Sequence, residues 1–129
     1  MEERARGLCE YCRTPAAFSA QPFEADHILP SVKGGPTVLN NLAYSCGCNR
    51  YKSDRTHAPD PLTGRSVELF HPRQHVWKRH FRWSEDGTLI LGRTAIGRST
   101  VELLRMNRLA LVNLRRLLIL AGKHPPAEE

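Results

Sequence analysis

Apolar positions along this chain come in short runs with a changing period. Phe23-Glu24-Ala25-Asp26-His27-Ile28-Leu29 alternates, which predicts a short strand. Phe23, Ala25 and His27 share one face of it, and Glu24, Asp26 and Ile28 the other; Pro30 ends it. A loop with Lys33-Gly34-Gly35-Pro36 at its tip follows, where adjacent glycines permit positive φ and a close backbone approach. Leu42-Ala43-Tyr44-Ser45 reads as a second strand, and Cys46-Gly47-Cys48 turns into a helix carrying Asn49, Arg50, Lys52 and Arg55. Ahead of this strand-loop-strand-helix unit, residues 2–8 suit a short helix stopping at Gly7, and Thr14 to Pro22 a loop.

Beyond Arg55 the pattern loosens. His57 to Gly64, with Pro59, Asp60, Pro61 and Gly64, reads as a break. Val67 to Phe70 is a brief apolar run, and Gln74 to His80 suits a helical turn or two. Phe81 to Ser84 and Thr88 to Leu91 alternate around Glu85-Asp86-Gly87, a hairpin signal. Ser99-Thr100-Val101-Glu102 matches a capping box and predicts a helix over 99–106. Asn107 is placed to cap a second helix ending at Ala121, with Leu111, Leu114, Leu118 and Ala121 on one face and Arg108, Arg115 and Arg116 opposite. The expected fold class is α+β: a ββα unit over residues 1–57, then an extension over 58–129 with a β-hairpin and a C-terminal helical pair.

Composition narrows the setting. A length of 129 residues allows one domain, or a small domain with an extension. No run of 18 apolar residues predicts a membrane span, and the N-terminus shows no apolar signal core, so a cytoplasmic protein is expected. Nineteen Lys and Arg against 13 Asp and Glu give a formal charge of +6, which suits a phosphate-bearing partner and equally a solubility surface.

All four cysteines fall between Cys9 and Cys48. Cys9-Glu10-Tyr11-Cys12 has the spacing that lets two thiolates take two corners of a tetrahedral Zn2+ site without straining the backbone. Cys46 and Cys48 have only Gly47 between them, which makes it harder for both sulfurs to reach one ion. Buried free thiols and disulfides are the alternatives; clustering in pairs without an export signal favours a closed, structural metal site.

Between the pairs sits Asp26-His27. Asp26 is a hard oxygen ligand suited to Mg2+ or a similar divalent ion, and Asn49 offers an amide oxygen for the same ion. His27, on the opposite strand face, is placed to take a proton from water. Each residue alone is weak evidence; the order is what carries weight. C-x-x-C, Asp-His-Ile-x-Pro, Gly-Gly, Asn-Leu, cysteines, Asn and Lys together resemble the HNH endonuclease family of the ββα-metal (His-Me finger) fold, over about residues 4–56. The resemblance implies His27 as general base and Asp26 and Asn49 as ligands of one catalytic divalent ion. It further implies Asn41 (with Asn40 the other possibility) as the residue fixing the loop before the second strand, and Cys9, Cys12, Cys46 and Cys48 as ligands of a structural zinc. The substrate so implied is nucleic acid, DNA in that family. Asp60 to Gly64, Leu69 to His75 and Trp83 to Gly87 resemble the extension of small stand-alone bacterial HNH proteins.

This chain departs from the family at one place: a residue is missing between Cys46 and Cys48. The short turn challenges Cys46 as a ligand first, and would rotate Asn49 by about 100° relative to Asp26. A degenerate, zinc-stabilised nucleic-acid-binding module is therefore the alternative to a nuclease. Lys33, Arg50, Lys52 and Arg55 flank the proposed site and are the expected phosphate contacts, against a solvated charged face. For His71, His75 and His80, polar surface and phosphate contacts are preferred over a second metal site. Core packing is preferred over base stacking for Trp77 and Trp83. Oligomeric state is not readable.

Overall fold

A computed structural model describes residues 1–127. The elements run α1 (Glu2–Ala5), β1 (Glu24–His27), β2 (Leu42–Ser45), α2 (Cys48–Lys52), β3 (His57–Pro59), β4 (Ser66–Glu68), α3 (Trp77–His80), β5 (Phe81–Trp83), β6 (Ile90–Gly92), α4 (Ala95–Leu103) and α5 (Leu109–Leu120). The strands form three antiparallel pairs, β1-β2, β3-β4 and β5-β6. The fold is α+β, with the expected ββα unit, β-hairpin and C-terminal helix pair.

In the ββα unit, β1 and β2 pair with Asp26 opposite Ala43 and His27 opposite Leu42. From Ala25 onward the alternation read from sequence is reproduced: Asp26 and Ile28 are buried, whereas Ala25 is exposed and His27 half-buried; Glu24, on the Asp26 face, is exposed at the start of the strand. The loop between the strands uses its two glycines differently. Gly34 sits at φ +88, and a Cβ on Gly35 would collide with the Leu29 carbonyl. Asn41 closes that loop, accepting from the Leu29 amide at 2.9 Å and donating to the carbonyls of Leu29 at 3.0 Å and Pro36 at 2.9 Å.

The extension differs from the expectation in four places. The supposed break at His57 begins a second hairpin, whose turn is organised by Asp60: its carboxylate accepts from the Leu62 amide, the Thr63 hydroxyl and, through two bonds at 2.9 and 2.8 Å, the Arg98 guanidinium on α4. The first C-terminal helix starts at Ala95, not Ser99, because Thr94 caps it by accepting from the Gly97 amide at 3.1 Å. Asn107 caps nothing. Its side chain makes a paired bridge to the Ile90 backbone on β6, both bonds 2.8 Å, and accepts from Arg115 at 3.0 Å. Arg115, read as part of a polar face, is buried and donates to the carbonyls of Thr88 at 2.8 Å and Met106 at 2.6 Å.

One hydrophobic core serves the whole described chain. Cys9, Tyr11, Cys12, Ile28, Ala43, Cys46 and Cys48 pack into the same cluster as Phe70, Phe81, Ile90, Leu104, Met106 and Leu111. A unit of two short strands and a five-residue helix buries little apolar surface alone, and the extension supplies the other half. Among the described residues no helix is long and apolar enough to cross a membrane.

Candidate metal and nuclease site

The Cys9–Cys12 turn reaches in three directions. The Cys9 and Cys12 side chains point at Cys46 and Cys48, and all four sulfurs lie within 4.8 Å of one another. Cys12 Sγ is 3.4 Å from Cys46 Sγ, and Cys46 Sγ is 3.6 Å from Cys48 Sγ. Sulfurs at about 2.3 Å from a tetrahedral Zn2+ would stand about 3.8 Å apart, so four converging thiols fit a single metal of that kind. Burial pushes the Cys9 thiol up, whereas hydrogen bonding with its neighbours, Cys12 first, pulls the Cys46 thiol down.

The short Cys46-Gly47-Cys48 spacing therefore does not remove Cys46 from the cluster. Nor does it depend on glycine's freedom: Gly47 has ordinary helical angles, φ −70 and ψ −1. The helix simply begins at Cys48, so that one sulfur comes from the strand end and the other from the first helical residue. Arg108, which precedes α5, reaches over this turn and donates to Cys46 Sγ at 3.5 Å and Cys48 Sγ at 3.7 Å. Burial works against its charge, but the sulfurs of Cys48 and Cys46 raise its pKa above the ordinary arginine value. A metal bound by four thiolates would carry net negative charge, and Arg108 is placed to balance it. Sequence reading placed Arg108 on a solvent face; nothing local signals a partner 60 residues away.

Tyr11, in the middle of the same turn, is fully buried and donates its hydroxyl to Asp26 Oδ2 at 2.7 Å. Asp26 is met from the other side by Lys52, whose Nζ lies 3.1 Å from Oδ2 and 3.0 Å from the His27 carbonyl. Lys52 is 2% exposed, which corrects its assignment as a phosphate contact: its ammonium is spent inside the protein. Lys33, Arg50 and Arg55 are exposed, with Arg50 loosely paired to Glu24 at 3.7 Å.

His27 Nε2 is 2.9 Å from the Thr37 hydroxyl, a contact that orients the ring from the glycine loop. Asn49 stands one turn before Lys52 on α2, so the two side chains share a helix side. Its Oδ1 is buried and has no hydrogen-bond partner among the described residues. Asn41 is at the loop, as given above, and Asn40 is exposed. Residues 9–55 match the model of the HNH endonuclease family. This segment is an HNH domain. No curated protein and no solved structure matches the chain.

Asp26 and Asn49 offer oxygen atoms and the cysteine cluster sulfur, donor types that suit a hard and a soft cation respectively. A buried amide oxygen without a donor costs about 1–3 kcal/mol, and a cation relieves that cost. Asp26 has lone pairs beyond those used by Tyr11 and Lys52. The residues thus suit a divalent ion, with the Lys52 ammonium as a competing charge on the same carboxylate.

Outside this domain, His71 and His75 are joined by a hydrogen bond, and the His75 and His80 rings lie against each other with centroids 5.0 Å apart. His75 Nδ1 accepts from the His71 amide at 2.9 Å, and its Nε2 faces Glu68 at 3.3 Å; His80 Nδ1 is 2.7 Å from the Thr94 hydroxyl. Among the described residues the cysteines are the one metal-competent cluster of His, Cys, Asp and Glu.

Proposed function

We propose that this protein is a metal-dependent HNH endonuclease that hydrolyses phosphodiester bonds in DNA. The observation that carries this reading is the orphaned Oδ1 of Asn49, a buried acceptor waiting for a cation, on the helix that follows the Asp26–His27 strand pair. Asp26 and Asn49 would hold a divalent ion such as Mg2+. When bound, that ion supplies positive charge against the scissile phosphate and the leaving oxygen. His27 is the general base. Thr37 on Nε2 fixes the ring plane, and the other nitrogen takes the proton of the attacking water. Asn41 holds the loop that carries Thr37, so its role is to position the base. The four cysteines hold Zn2+, closed to water and structural. Lys33, Arg50 and Arg55, all exposed, contact the phosphate backbone.

Plasmid nicking tests it. Zinc-loaded protein nicks only with added divalent ion, and His27→Ala lowers the rate about 10²–10⁴-fold at unchanged zinc content. Equal nicking by wild type and variant removes His27 from the mechanism.

A second reading rests on the Lys52–Asp26 pair. An ammonium 3.1 Å from the carboxylate already neutralises it, as a binding module without a catalytic ion would require. That reading predicts salt-sensitive DNA binding with no nicking at any divalent ion concentration.

A further inference from the structure

The loop between β1 and β2 carries more exposed apolar surface than holding Thr37 requires. Leu29, Val32, Val38 and Leu39 are all exposed, Val32 at 77% and Leu39 at 61%. They stand on the two arms of a loop whose backbone is pinned. Asn41 ties the carbonyls of Leu29 and Pro36 through its side chain, and its amide donates to the Val38 carbonyl at 2.8 Å. Gly35 lies too close to the Leu29 carbonyl for a Cβ to fit, and Arg4 donates to the Leu39 carbonyl at 2.9 Å. Val32 rides at the tip on a single 3-10 turn, Ser31–Lys33. Single exposed apolar residues are ordinary, but four within one short pinned loop mark a contact surface.

This surface adjoins the candidate base. Val38 directly follows Thr37, whose hydroxyl is 2.9 Å from His27 Nε2. No carboxylate occurs from His27 to Ser53, and Lys33, next to Val32, is exposed with no ionic partner among the described residues. We propose that the loop is a DNA wedge: Val32 and Leu39 enter a groove of the duplex and part a base step beside the scissile phosphate, while Lys33 contacts the flanking backbone. Inserted apolar side chains pack on the faces of the parted bases, and a neighbouring cation holds the phosphates. A protein seated on the same surface would cover His27, whereas a duplex has to come to His27 to be cut. The proposal rests on the reading of the protein as one that works on DNA. It deepens that reading by making double-helical DNA the substrate class and the loop the element that distorts it.

The base analogue 2-aminopurine brightens when it leaves the stack, so it reports a parted step. A duplex carrying it at regular intervals is titrated with full-length zinc-loaded protein, without added divalent ion so that the strands stay whole. Wild type brightens the duplex about twofold or more on binding. Val32→Ser/Leu39→Ser abolishes the brightening and weakens binding by about fivefold, while Leu117→Ser/Leu120→Ser, equally exposed but on α5, changes both by less than about twofold. Equal zinc content and circular dichroism show that the variants are folded, and sedimentation reports their oligomeric state. The proposal is overturned by the absence of brightening, by equal loss in the two double variants, or by a wild-type dimer that Val32→Ser/Leu39→Ser dissolves, which would give the surface to a second copy of the chain. Nicking with Mg2+ is followed in parallel. Brightening without nicking sinks the nuclease reading and leaves the wedge as a binding device; nicking without brightening does the reverse.

Discussion

Replacing Lys52 by Met tests the centre of the HNH domain directly. The ammonium has three acceptors within reach: Asp26 Oδ2 at 3.1 Å, Asp26 Oδ1 at 3.4 Å and the His27 carbonyl at 3.0 Å. Three protons meet three acceptors, and the side chains of Lys52 and Asp26 are only 2% and 7% exposed. Methionine keeps the length and apolar stem but leaves Asp26 with Tyr11 alone. Breaking a buried pair by removing one partner costs about 3–5 kcal/mol. For a chain of this size that lowers the melting temperature by on the order of 10–20 °C. The Asp26→Asn/Lys52→Met double variant removes the charge imbalance and recovers much of the loss, so the two single effects are strongly non-additive. Melting is followed by circular dichroism at constant zinc, with and without Mg2+. Mg2+ raises the melting temperature of Lys52→Met more than that of wild type, because the ion then meets no competing ammonium. Additive single effects, within about 0.5 kcal/mol, would refute the pairing. A Lys52→Met protein indifferent to Mg2+ would refute the claim that Asp26 is a cation ligand.

Arg108→Leu removes the counter-ion of the cysteine cluster and weakens zinc binding by about 10–100-fold, measured by competition with a chromophoric chelator; unchanged affinity would show Arg108 to be mere packing. Asn107→Ala breaks the bridge to Ile90 and strips Arg115 of a partner, and costs about 2 kcal/mol in urea unfolding, against less than 0.5 for Asn113→Ala on the exposed face of α5. Acid acts in two stages, read by unfolding from pH 8 to 2. Burial first, then the neighbouring His75, lowers the pKa of His71 and of His80, and burial lowers that of His124. The unfolded chain then binds these protons first, and stability falls as pH drops below the ordinary histidine value of about 6.5. Asp86, held down to about 2 by the Thr88 amide and the Ser84 and Thr88 hydroxyls, contributes stability above the ordinary carboxylate range and loses it as pH falls towards 2. Asp60, lowered by Arg98, acts in the same sense.

How much was legible in the sequence depended on the range of the interaction. The β1 strand, the glycine loop and the Glu85–Gly87 turn are decided within a few residues, and the sequence pattern pointed to each. The capping signals at Ser99 and Asn107 misled. Thr94 won the start of α4, and Asn107 was drawn to Ile90 on a neighbouring strand. The cluster of four cysteines was readable from their order. The short turn challenged Cys46 as a member of the cluster, and its place there follows from where α2 begins.

The sequence alone determined which chemical groups this protein possesses and their local geometry: the thiol pairs, the Asp26–His27 strand, the glycine loop and the helix bearing Asn49. Only the tertiary structure decided what its cations do. Lys52 pairs with Asp26 across 26 residues, Arg108 with the cysteine sulfurs across 60 and 62, and Arg115 with Thr88 across 27. An exposed and a buried arginine look alike in sequence. A charge is taken out of water only where acceptors converge on it, and those acceptors belong to other parts of the chain.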